Sequence, residues 1–132
     1  GLPGDTVSWR NGELLVNGEA ALYSLLPDTE RDPILTFQFP HTRSLSEQIS
    51  GQEREILRYK ISPKKSHGSF ETVVVPSNYY LVLGDNRDNS ADYRAFGFVH
   101  ADEMVGRAKG VLFSLDPESF YAPRWHRFGS TF

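Results

Sequence analysis

The stretch from Gly84 to Arg94 limits what this chain can fold into more than any other. Gly84-Asp85-Asn86-Arg87-Asp88-Asn89-Ser90-Ala91-Asp92-Tyr93-Arg94 places three aspartates and two arginines within eleven residues. An apolar run, Tyr79-Tyr80-Leu81-Val82-Leu83, leads into it, and a second, Phe96-Gly97-Phe98-Val99, leads out. Charge runs are usually solvated faces. Here the residue types argue for a tighter arrangement. Asp and Asn side chains bond nearby backbone and hold turns. The carboxylates of Asp85, Asp88 and Asp92 match the forked donors of Arg87 and Arg94. A loop that neutralises its own charges between two strands would be rigid enough to carry a site.

The remaining segments read as short strands. Val7-Ser8-Trp9-Arg10, Asn11-Gly12 and Glu13-Leu14-Leu15-Val16 spell a hairpin, since Asn-Gly suits a type I′ turn. Asn17-Gly18 marks a second turn. Residues 24–70 are punctuated by Pro27, Pro33, Pro40 and Pro63. Within them Ile34–Phe39 and Ile56–Ile61 are expected to be strands, and Ser44–Ile49 a helical turn. Pro63–Ser69 reads as a basic, solvated tip. Thr72–Val75 is a β-branched strand ended by Pro76, and Tyr79–Leu83 is another. Ala101–Glu103 reads as a turn. Met104–Leu115 has the pattern of a long strand interrupted at Gly106 and Gly110. The expected fold is mainly β, antiparallel, with little helix.

At 132 residues the chain is one domain's worth, enough for a core without staples. A net charge of −3 gives no electrostatic footprint for nucleic acid. With no cysteine there is no disulfide, no thiolate metal site and no cysteine nucleophile. No apolar run approaches the ~20 residues that span a bilayer. The chain opens inside a motif, Gly1-Leu2-Pro3-Gly4-Asp5, with no initiator methionine, and reads as part of a longer protein.

Gly84–Arg94, continued by Gly97-Phe98-Val99, closely resembles the G-D-N-R-D-N-S-x-D-S-R-x-x-G-x-V box of bacterial type I signal peptidases. Gly1–Asp5 resembles a second box of that family, and Arg124-Trp125-His126-Arg127-Phe128-Gly129 its C-terminal R-W-x-R pattern. The resemblance implies antiparallel sheets in a partly open barrel. Residues 1–23 and 71–132 would form the catalytic-core scaffold and residues 24–70 a short inserted β region. It implies a serine endopeptidase with a serine nucleophile and a lysine base. It also implies an N-terminal anchor in the bacterial inner membrane, a site on the periplasmic face and preprotein signal peptides as substrates. No cofactor or metal is implied.

In that family the nucleophile lies in an S-M motif and the lysine a few residues before the Gly-Leu-Pro-Gly-Asp box. Neither occurs here. The single methionine, Met104, follows Glu103, and Lys60, Lys64, Lys65 and Lys109 stand in other contexts. The chain alone is therefore expected to be inactive. What it would hold is the support of the site. By resemblance, Ser90 hydrogen-bonds the lysine amine, Gly84 allows close backbone approach, Asp92 and Arg94 stiffen the loop, and Asp85 pairs with a basic residue beside the lysine. One departure is Tyr93, where the box has serine.

Asp88, Ser90 and Asp92 occupy positions one, three and five of a calcium loop, but positions six and twelve are Tyr93 and Val99 instead of glycine and glutamate. His41, His67, His100 and His126 lack paired ligand spacing. A non-catalytic β module that binds extended peptides, or a conjugation-type serine–lysine maturation peptidase, are the alternatives.

Overall fold

Two Asn-Gly turns set the first sheet. The computed structural model describes residues 1–28, 33–61, 68–106 and 108–110, with isolated positions beyond them. In chain order its elements are β1 (Thr6–Arg10), β2 (Glu13–Val16), β3 (Glu19–Ala20), β4 (Leu22–Leu25), α1 (Pro33–Gln38), β5 (Thr42–Ile49), β6 (Gln52–Tyr59), β7 (Phe70–Val74), β8 (Tyr79–Tyr80), α2 (Tyr93–Phe96), β9 (Val99–His100), β10 (Leu115–Asp116) and β11 (Ala122–Pro123). The hairpin expected at Asn11-Gly12 forms between β1 and β2, with Val7 opposite Val16 and Arg10 opposite Glu13. Asn11 and Gly12 take φ of 52° and 85°, the left-handed pair that a type I′ turn needs. Asn17 and Gly18 repeat this at 52° and 81° and lead into β3.

β7 pairs with the free edge of β1, giving a four-stranded sheet in the order β3-β2-β1-β7. β4, β5 and β6 form a second antiparallel sheet, and β8 pairs with β9. The fold is mainly β and antiparallel, as expected, and the sheets do not close into a barrel. Val7, Trp9 and Leu14 from the first hairpin meet Ile49, Val75 and Leu81 in one buried core. Among the described residues no helix is long and apolar enough to cross a membrane.

Several local expectations are corrected. Ile34–Phe39 is not a strand, because α1 occupies Pro33–Gln38 and Phe39 N–H donates to the Leu35 carbonyl at 2.9 Å. Pro33 opens that helix, where its fixed φ fits and its missing N–H costs nothing. Ser44–Ile49 is not a helical turn. It is most of β5, which pairs along its whole length with β6. The strand expected at Tyr79–Leu83 is cut to Tyr79–Tyr80. Leu81 instead makes reciprocal backbone bonds with Gly1, at 2.9 and 3.0 Å. The long strand expected from Met104 is absent from the described residues of that stretch before β10. Ala101–Glu103 is a tight 3-10 turn. Most of Pro63–Ser69 and of the Arg124–Gly129 pattern lies outside the described residues.

Candidate functional site

Asp92 fixes the end of the charged loop. It caps α2, accepting from the Arg94 backbone N–H at 3.1 Å. Its carboxylate also receives the Arg94 guanidinium in a two-point contact, Nε to Oδ1 at 2.8 Å and Nη2 to Oδ2 at 2.6 Å. The Gly84 N–H donates to Oδ2 at 2.9 Å and ties the two ends of the loop together. Burial works against ionisation of Asp92, but the Arg94 side chain and the Gly84 and Arg94 N–H groups outweigh it and hold its carboxyl at about 2. The expected acid–base pair of Asp92 and Arg94 is therefore present.

The other loop charges are not neutralised within the loop, and here the sequence-based picture is corrected. Arg87 points into the interior, 2% exposed, and grips the fully buried Glu47 of β5 with both terminal nitrogens, Nη2 to Oε1 at 2.6 Å and Nη1 to Oε2. Asp88, also buried, accepts from Arg58 Nε at 3.1 Å and from the Tyr59 backbone N–H at 2.8 Å, both from β6. Backbone bonds seat the loop on the same strand. Leu57 N–H donates to the Asp85 carbonyl at 2.8 Å, and Arg87 N–H to the Leu57 carbonyl at 3.0 Å. A charge needs a partner with complementary shape, and that partner need not be near in sequence.

Trp9 joins the three arginines. The guanidinium carbons of Arg58, Arg87 and Arg94 lie 5.4, 5.4 and 5.7 Å from the centroid of its buried ring. Each is within the range of cation–π attraction, and each is also held by a carboxylate. Arg58 further donates to the Gly12 carbonyl at 2.9 Å, which links the first hairpin turn to the cluster.

Ser90 and Gly84 are brought into direct contact. A Cβ built on Gly84 would lie 1.9 Å from Ser90 Oγ and 2.6 Å from Ser90 Cβ, so only glycine leaves room for that hydroxyl. Among the described residues the Ser90 hydroxyl has no hydrogen-bond partner. Asp85 is exposed and contributes its carbonyl to the docking described above. Of the five expected support residues, Gly84, Ser90, Asp92 and Arg94 form one contiguous group, while the Asp85 side chain stands outside it. Tyr93 finds room among aromatics, with ring centroids 4.8 Å from Phe70 and 4.9 Å from Phe98. The first box is a small self-bonded turn. Asp5 accepts from the Leu2 N–H at 2.7 Å and from Asn17 Nδ2 at 2.8 Å, and this hydrogen bonding lowers its pKa.

Sequence reasoning missed Glu47, Arg58 and Trp9. Nothing local marks them. Glu47 lies 40 residues from Arg87, and Arg58 lies 30 from Asp88. The calcium reading fails because the carboxylates of Asp88 and Asp92 are occupied by arginines. Among the described residues no group of three or more His, Asp or Glu could hold a metal.

Comparison with known proteins identifies relatives of the chain. Residues 1–113 match the profile of the family described as "Signal peptidase, peptidase S26". A Staphylococcus aureus protein named signal peptidase IB is 34% identical over 107 residues, covering 81% of this chain and 47% of the relative. A Pseudomonas aeruginosa protein named signal peptidase I is 31% identical over 141 aligned positions, covering 98% of this chain and 47% of the relative. The chain thus spans about half the length of the curated relatives it matches. The profile match and the two relatives place this chain in the signal peptidase family, peptidase S26.

Proposed function

We propose that this chain is the supporting half of a signal peptidase I that removes signal peptides from exported preproteins at the periplasmic face of the bacterial inner membrane. In this reading the whole protein is a serine endopeptidase using a serine nucleophile and a lysine base. This chain supplies neither of those groups and does not cleave preproteins by itself. An N-terminal anchor in the whole protein holds it at the membrane. No cofactor takes part.

A lysine serves as a base only when its amine is neutral, so its pKa must be depressed, chiefly by desolvation. The neutral amine must then be aimed by partners that do not keep a proton on it. A hydroxyl can do this. The observation that carries the reading is the register between Gly1 and Leu81. Their reciprocal backbone bonds are those of an antiparallel pair. In a longer polypeptide the residues before Gly1 would continue antiparallel beside Val82, Leu83 and Gly84. A lysine a few residues upstream would then come alongside Gly84, where the Ser90 hydroxyl is seated. Gly84 and Ser90 would receive the amine, while Asp92 and Arg94 fix the loop that presents them. Asp85, exposed at the loop's start, is free to face a basic residue of that upstream segment.

The test is Ser90→Ala in the full-length protein, assayed for preprotein cleavage. A fall in kcat of about tenfold or more is expected from loss of a group that aims the base. A wild-type rate would refute the role given to Ser90.

A further inference from the structure

We infer that Glu47 is a positioning residue for Ser90, acting through Arg87; this rests on the reading of Ser90 as the partner of the lysine amine. The loop is held on both sides of Ser90. After it, Asp92 binds the Gly84 N–H and the Arg94 guanidinium. Before it, the Arg87 side chain is locked by Glu47, and the Arg87 backbone is tied to the Leu57 carbonyl. Only Asp88 and Asn89 separate Arg87 from Ser90, and Asn89 N–H closes a turn onto the Asn86 carbonyl at 3.0 Å. Releasing the Arg87 side chain would remove one of the two ionic anchors before Ser90 and leave that side held by Asp88 on Arg58 and Tyr59.

Glu47 is itself over-determined. Its carboxylate accepts from the Tyr23 hydroxyl at 3.1 Å as well as from Arg87, and Arg54 Nε lies 3.8 Å away. Its strand, β5, sits in the middle of the β4-β5-β6 sheet and cannot shift without breaking both ladders. A buried ion pair of this kind adds little net stability over an apolar pair of equal volume, because both charges lose their hydration. Its distinctive property is geometric, since a two-point carboxylate–guanidinium contact permits one orientation. β5, from the middle of the chain, therefore supplies the counter-ion that helps set the loop's position.

The experiment is a cycle in the full-length protein, comparing Glu47→Gln in the otherwise unchanged enzyme and in a Ser90→Ala background, with kcat and KM read separately. If Glu47 acts through Ser90, Glu47→Gln lowers kcat about tenfold with KM within about twofold, because misplacement of the base-aiming group is felt in the chemical step. In the Ser90→Ala background the same substitution changes kcat by less than about twofold, since residues acting as a unit are not additive. An equal loss in both backgrounds, or a loss carried wholly by KM, overturns the inference while leaving Ser90 its role. A Ser90→Ala enzyme with the wild-type rate removes both readings together. Should the unpaired guanidinium unfold Glu47→Gln, Glu47→Asp keeps the charge, shortens the reach and is read by the same criteria.

Discussion

The Oγ of Ser90 occupies the space that a Cβ on residue 84 would fill, 1.9 Å from its ideal position. Gly84 is therefore required by space, and its role is to let a hydroxyl lie against the main chain. Gly84→Ala is expected to push Ser90 outward and to strain the Gly84 N–H bond to Asp92. Overpacking of this kind costs about 1–3 kcal/mol. Denaturant unfolding of the chain checks the stability loss, and an alanine variant as stable as the parent would mean that Ser90 moves aside freely.

Acid should weaken the fold through Asp92. Its carboxyl titrates at about 2 in the folded chain against an ordinary 3.8. A depressed carboxyl stabilises the fold fully above the unfolded value, and this stabilisation is lost as pH falls through the folded one. The loss therefore falls between about pH 4 and pH 2 and amounts to about 2 kcal/mol. Asp92→Asn should lower stability at neutral pH, because Arg94 keeps its charge in a buried place. The variant should also unfold with a shallower acid limb. Unfolding free energies measured across that pH range test this, and an unchanged acid limb would count against the assignment.

Alkali should act at Tyr23. Burial, and then the neighbouring Glu47 carboxylate, push its phenol up to about 12 from an ordinary 10.0. A raised phenol contributes stability that is whole below the unfolded value and disappears as pH rises through the folded one. Phenolate absorbance should therefore show Tyr23 ionising late in the folded chain and normally once unfolded. Tyr23→Phe should abolish the late step and flatten stability between about pH 10 and 12. A late step that survives the substitution belongs to another tyrosine.

Legibility followed the range of the forces involved. The first hairpin was readable because a type I′ turn is a local conformational demand, and Asn11-Gly12 meets it within two residues. The middle of the chain was misread for a reason visible in β5. Thr42, Ser44 and Ser46 are buried on one face and Glu47 and Ile49 on the other, so the strand is buried on both sides by residues that are mostly polar and its hydropathy shows no strand pattern. Thr42 and Ser46 are accommodated inside because the pairing with β4 and β6 satisfies the backbone and their hydroxyls bond to Phe39 and Glu53. The error at Ile34–Phe39 was the converse, since alternation of apolar residues overrode the helix-opening Pro33.

The bare sequence determined the Asn11-Gly12 hairpin and that the chain has the boxes of a signal peptidase, and the resemblance those boxes carry implied the Asp92–Arg94 pair. Those features depend on neighbours a few positions apart, and chain connectivity brings them together. Only the tertiary structure decided which partners Arg87 and Asp88 take. Glu47 and Arg58 reach them from 40 and 30 residues away, around the ring of Trp9. An aspartate or arginine carries no mark of which distant counter-ion it will meet. That choice is made when the β5–β6 hairpin packs against the first sheet and each buried charge must find its opposite.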